Sequence, residues 1–218
     1  MLCQFTVKNF KSIRDEATFD MQAAAISEHE DRIIIDKNEE KFLPVSAIYG
    51  PNGGGKSNVL AALHTLVAKV LRPLFATEDS EEKVLLQKKL IVEPFAFSQS
   101  KDGSTEFELF FRTTVSEYRY ILHVKRDIVL YESLDRVKLE TRRKSALFTR
   151  DENGIILKGA FAKLKVSNEL SKTLTLLSYL GIAYKGNAVV KDVLSWFEYG
   201  IEFLNYGNPI QELRMAVS

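Results

Sequence analysis

Eight consecutive residues, Gly50-Pro51-Asn52-Gly53-Gly54-Gly55-Lys56-Ser57, carry the means to hold a phosphate chain. Glycines let a backbone fold tightly round an anion, where a Cβ would strike the oxygens or forbid a positive φ. Successive N–H groups, with the positive end of a following helix, then face the charge. The pattern places Lys56 within reach of β- and γ-phosphates, as the one candidate catalytic residue, and the Ser57 hydroxyl on Mg²⁺, as the one candidate metal ligand. The expected ligands are therefore ATP and Mg²⁺, held by Gly50 to Ser57 with Asn58 just inside the helix.

Such a loop needs a strand before it and a helix after it. Val45 to Tyr49 is a compact apolar run entered by Pro44 and left by Gly50, the composition of a buried strand. Val59, Leu60, Leu63, Leu66, Val67, Val70 and Leu71 recur at 3 and 4 spacing, which predicts an amphipathic helix over Ser57 to Arg72, stopped by Pro73. Upstream, Cys3, Phe5 and Val7 alternate, Asn9 to Asp15 form a polar turn, and Ala17, Phe19 and Met21 alternate again, as in a hairpin. Residues 26–42 read as loop with room for one strand or helical turn. Downstream, Glu78 to Glu93 suggests a second helix ending before Pro94. Thr105 to Arg112, Glu117 to Lys125, Asp127 to Glu140, Ala146 to Arg150 and Gly154 to Lys158 then form an antiparallel meander, and residues 168–184 and 187–205 return to helical spacing.

Composition bounds the rest. The chain has 218 residues, 45% apolar and 27% charged, with a formal net charge of +1, so neither a disordered chain nor a globally basic nucleic-acid binder is indicated. No run approaches the length of a membrane span, and Lys8, Lys11 and Arg14 occupy the place of a signal peptide's apolar core, which points to a cytoplasmic protein without membrane partners. Cys3 is the single cysteine and fits a buried strand position better than a reactive thiol; His29, His64 and His123 show no metal-ligand spacing.

Phe5 to Ile13, with its Asn9-Phe10-Lys11-Ser12-Ile13 core, the run Val45 to Asn58 and the later Pro94-Phe95-Ala96-Phe97 resemble the amino-terminal lobe of RecF/SMC-like ABC-type ATPases. More narrowly they resemble bacterial AAA-family, OLD-like ATP-binding proteins of phage-defence and restriction systems, and Ile128 to Leu134 and Leu147 to Arg150 fit that group. The resemblance covers the whole chain. It implies an α/β fold, a P-loop NTPase half-domain (the amino-terminal lobe of an ABC-ATPase head) with an antiparallel β meander and carboxy-terminal helices. Residues 1–75 would hold the hairpin, P-loop and helix, 94–158 the meander and 159–218 a helical segment, as one ATP-binding lobe lacking a second. It further implies that Lys11 and Ser12 approach the phosphates or ribose, with a solvated turn as the competing reading, and that a Q-loop glutamine be sought near Gln99, which no spacing identifies. Heads of this kind dimerise around two nucleotides, so a homodimer or higher oligomer and an effector nuclease or toxin partner are expected.

Two elements of the family pattern are missing: an apolar strand ending in Asp-Glu, and a signature loop. Glu132 lacks a preceding Asp and reads as an ordinary sheet or rim residue. Three functions follow. The first is an ATP-binding lobe that couples nucleotide binding and hydrolysis to dimerisation and a partner or DNA response, with poor turnover on its own. The second is a non-hydrolytic nucleotide-sensing module. The third is a small-molecule phosphotransferase, for which Arg142, Arg143 and Lys144 would be anion binders unless they form a solvated basic turn. Nucleic-acid binding stays open, since no basic and aromatic interleaving supports it.

Overall fold

The computed structural model describes residues 1–25, 30–36, 38–75, 90–97, 103–167 and 169–203. The fold is mixed α/β, built on a seven-stranded, wholly antiparallel sheet with helices packed on one face. The strands are β1 (Leu2–Lys8), β2 (Ala17–Asp20), β5 (Thr105–Arg112), β6 (Ser116–Lys125), β7 (Ile128–Lys138), β8 (Lys144–Asp151) and β9 (Gly154–Leu157), in the order β2-β1-β5-β6-β7-β8-β9. A separate two-stranded hairpin joins β3 (Ile34–Ile35) to β4 (Lys41–Phe42) after a short 3-10 turn at Glu30–Arg32.

Period-2 alternation aims one row of side chains inward across five strands. Phe5 pairs with Leu109, Leu109 with Tyr120, Tyr120 with Leu134 and Leu134 with Phe148, and all five are fully buried. Against this face lie α1 (Lys56–Phe75), α2 (Leu176–Ala183) and α3 (Ala188–Tyr199), which contribute Leu66, Val70, Leu177, Leu180, Val193 and Phe197 to a single core. Among the described residues α1 is the one helix long and apolar enough to cross a membrane. Its buried run from Leu66 to Leu71 packs it as the core helix of this fold.

The hairpin at the amino terminus and the meander form as the alternation requires. Five expectations need correction. Val45 to Tyr49 is not a buried strand: it has no regular structure, Val45 is 77% and Tyr49 89% exposed, and no backbone hydrogen bond is made by residues 44–49 among the described residues. The apolar run has the composition of a strand, but among the described residues no strand pairs with it. Helix α1 passes through Pro73 to Phe75 instead of stopping before it. Pro73 removes the backbone bond it would have donated one turn back, and the Ser178 hydroxyl donates to the Val70 carbonyl at 2.6 Å, tying this end of α1 to α2.

The helix expected over 168–184 begins only at Leu176. Ser171 and Thr173 bond to each other and to local backbone, and the Thr175 hydroxyl accepts from the Ser178 N–H as the N-cap, so side chains compete with the helix until the cap is reached. The helix expected over 187–205 ends at Tyr199, and Asn187 caps its start by accepting from Val189 and Val190. Residues 90–93 of the expected helix from Glu78 to Glu93 are non-helical, with Val92 bridged to Arg126; residues 78–89, Gln99 and Leu204 lie outside the described residues.

Candidate functional site

The glycine-rich loop leads directly into α1, whose first residue is Lys56. Gly50, Gly53 and Gly55 have φ of +153°, +80° and +84°, so the loop uses backbone conformations that side-chain-bearing residues resist. Gly55 is doubly constrained, because a Cβ there would lie 2.9 Å from Ser12 Oγ. Lys56 Nζ donates to the carbonyls of Gly50 and Pro51, each at 2.7 Å, and so spans the loop from its helix end back to its first residues. Pro51, Asn52 and Ser57 are exposed, with Ser57 in the first turn of α1, where backbone N–H groups lack intrahelical partners.

A second segment is brought to this loop across the chain. The turn after β1 holds Asn9 and Lys11 at φ of 56° and 49°, and presents Ser12 to α1, where Asn58 Nδ2 donates to Ser12 Oγ at 2.6 Å. Asn9 fixes the turn. Its Nδ2 donates to the Ser104 carbonyl at 2.9 Å, its Oδ1 accepts from the Phe95 N–H at 3.0 Å, and its own carbonyl accepts from the Thr105 hydroxyl at 2.6 Å. Lys11 N–H and C=O bond to Glu93 and Ala96 in turn. Ser12 is thus in contact with the loop, whereas Lys11 Nζ lies 5.5 Å over the Phe10 ring. Sequence reasoning passed over Asn9; its signal was an asparagine at a tight turn, the residue that tolerates positive φ while bonding to neighbouring backbone.

Glu132 is neither a rim residue nor near the loop. The bulge at Leu130 in the β6–β7 ladder places it on the inner face of β7, opposite Arg150 in β8 and fully buried. Its carboxylate accepts from the N–H groups of Leu176 at 2.5 Å and Leu177 at 2.9 Å, at the start of α2, and from the Tyr120 hydroxyl at 2.9 Å. Arg150 Nη1 stands 4.0 Å away and donates to the Leu174 carbonyl at 2.6 Å. Burial pushes the Glu132 carboxyl above its ordinary range against the pull of those donors, and burial raises the Tyr120 hydroxyl as well.

Lys69, whose ammonium is lowered mainly by burial, feels the Glu132 charge and donates to the Asp127 carbonyl at 2.9 Å. At about 1.5 Å per residue, Lys69 is roughly 20 Å along α1 from Lys56. Glu132 therefore belongs to a structural cap at the far end of the helix. Among the described residues, no carboxylate is ion-paired or hydrogen-bonded to Gly50–Asn58. Arg142 is tied to Glu40 at 2.8 Å in an exposed pair.

The family model described as "AAA domain, putative AbiEii toxin, Type IV TA system" matches residues 45–186, from the exposed run before the loop to the end of α2. No curated protein matches the chain.

Proposed function

Since the chain belongs to this AAA domain family, an ATPase-type, nucleotide-binding family, we propose that Gly50 to Asn58 bind ATP through its phosphates. The observation that carries this reading is the loop itself: three glycines at positive φ, Lys56 opening α1 with its ammonium turned over the loop carbonyls, and an exposed Ser57 hydroxyl one residue on. The loop amides and the positive end of α1 supply a preformed field for an anion. Lys56 would exchange its two carbonyl partners for phosphate oxygens, and Ser57 would hold Mg²⁺, which neutralises charge on the phosphates when bound. Ser12, held by Asn58 and abutting Gly55, shapes the loop from outside; Lys11 approaches from the same turn.

We place the protein among RecF/SMC-like and OLD-like heads, in the cytoplasm, as a lobe whose nucleotide response runs through association with a second head and an effector nuclease or toxin partner, in phage defence. The exposed Val45–Tyr49 run supports association, since an apolar segment with unpaired backbone beside the loop is suited to join another strand. A lobe of this construction holds nucleotide and turns it over poorly, because Lys56 and Ser57 bind and position phosphates while Glu132 is committed to α2. The same observation favours a second reading, a sensor in which ATP binding alone drives assembly. Phosphotransfer to a small molecule has weaker support, since Arg142 is engaged with Glu40.

The test is ATP binding and phosphate release measured on one preparation, with sedimentation run with and without nucleotide. Saturable binding supports the reading; slow release that rises with nucleotide-driven association favours the coupled head, and association with release at background favours the sensor. Absence of binding overturns both.

A further inference from the structure

The sheet has two ends. Lys8 and Thr105 lie at the end that carries the turn beside Gly50–Asn58, whereas Met1 and Arg112 mark the other, about 20 Å away at ~3.3 Å per strand residue. There a cleft of about 1180 Å³ opens between the β5–β6 turn, the end of β7 and the last turn of α3. The nucleotide reading makes no use of it.

Its cations differ sharply in what they already hold. Arg112 is consumed by structure: it pairs with Asp36, Glu40 and Glu117 and covers the Phe42 ring, pinning the β3–β4 hairpin to the sheet. Arg136 is not. Half-buried, it donates from Nε to Ser116 Oγ at 2.8 Å and lies over the Tyr118 ring, and no carboxylate pairs with it among the described residues. Lys138, two residues along the same strand and so on the same side, is likewise without an acidic partner among the described residues.

Beside them stands Trp196, 3% exposed, whose Nε1 donor has no hydrogen-bond partner among the described residues. Val115 and Tyr199 add apolar wall, 51% and 75% exposed. A half-buried guanidinium with free donors favours a carboxylate, which it can grip through two parallel bonds. Asp36, Asp192 and Glu140 line the same cleft and oppose a polyanion. The volume exceeds that of a single small-ligand pocket and suits several residues of extended chain.

We propose that this cleft is a peptide site, independent of the nucleotide loop, that takes a segment of a partner protein bearing one carboxylate, seated on Arg136 with Lys138 behind it, next to apolar or aromatic side chains laid against Val115 and Tyr199 beside the Trp196 edge. Trp196 is the chain's single tryptophan and lines the cleft, so its emission gives a signal from this end of the fold.

The experiment titrates the full chain with a capped tetrapeptide of leucine, aspartate, phenylalanine and leucine, with the same peptide carrying asparagine for aspartate, and with a ten-base oligothymidylate, following emission and heat. The expected result is saturable binding of the aspartate peptide, roughly 10- to 100-fold weaker binding of the asparagine peptide, and no response to the oligonucleotide. In a folded Arg136→Gln chain the preference between the two peptides disappears while binding of ATP with Mg²⁺ is unchanged. The peptide pair on the unaltered chain decides the matter even where that variant fails to fold. Equal binding of both peptides, no saturation by either measure, or saturation by the oligonucleotide instead overturns the proposal.

Discussion

The side-chain amide of Asn58, in the first turn of α1, donates to the hydroxyl of Ser12 at 2.6 Å although 46 residues separate them. This bond fastens the turn after β1 to the helix that follows the glycine-rich loop. Ser12→Ala and Asn58→Ala should each cost about 0.5 to 1.5 kcal/mol, and the double variant should cost less than the sum, since one bond is shared. Denaturant unfolding of the three variants checks the coupling.

Gly55→Ala should do more harm than either. Its φ of +84° disfavours any side chain, and the new Cβ would stand 2.9 Å from Ser12 Oγ. A loss of about 1 to 3 kcal/mol in stability, with weakened ATP binding in the folded fraction, is expected from thermal unfolding and titration of the variant.

Glu132→Gln should lower stability by about 1 to 3 kcal/mol, because an amide cannot accept on both sides from Leu176, Leu177 and Tyr120. ATP affinity of the folded variant should be unchanged. A selective loss of nucleotide binding, with stability intact, would move Glu132 into the phosphate site.

Buried between strands, the Cys3 thiol is pushed up to about 12, chiefly by desolvation. It should react with a thiol reagent near pH 8 only as fast as the protein unfolds. The stability carried by the protonated thiol is complete below the ordinary cysteine value and is lost as the pH rises through the folded one, so any Cys3 contribution to unfolding shows at alkaline pH and vanishes in Cys3→Ala.

Much of this fold was legible because local pattern and burial agree. Thr105 to Arg112 alternates in sequence and in burial, and so forms the strand its pattern announces. Gly50, Gly53 and Gly55 were readable as turn glycines because the loop backbone takes positive φ at all three. What was not legible depends on partners distant in sequence. Val45 to Tyr49 has a strand's composition, yet a strand exists only where another offers hydrogen bonds. Glu132 reads as a sheet residue and is one, but its burial was not legible, because one extra residue of β7, Leu130, resets the register and turns a carboxylate inward where an apolar residue is expected. Leu170 and Leu174 kept helical spacing in a segment whose Ser171, Thr173 and Thr175 hydroxyls hold the backbone otherwise.

The most direct measurement is calorimetric titration of ATP with Mg²⁺ into the folded chain and into Lys56→Ala. Lys56 Nζ bonds to the Gly50 and Pro51 carbonyls, and the proposed site has it trade them for phosphate oxygens. The expected result is saturable binding to the unaltered chain, weakened about 10- to 150-fold by the substitution, the worth of a charge-assisted contact. Equal affinity in the two proteins, or no binding to either, would contradict the assignment of Gly50 to Ser57 as a phosphate site.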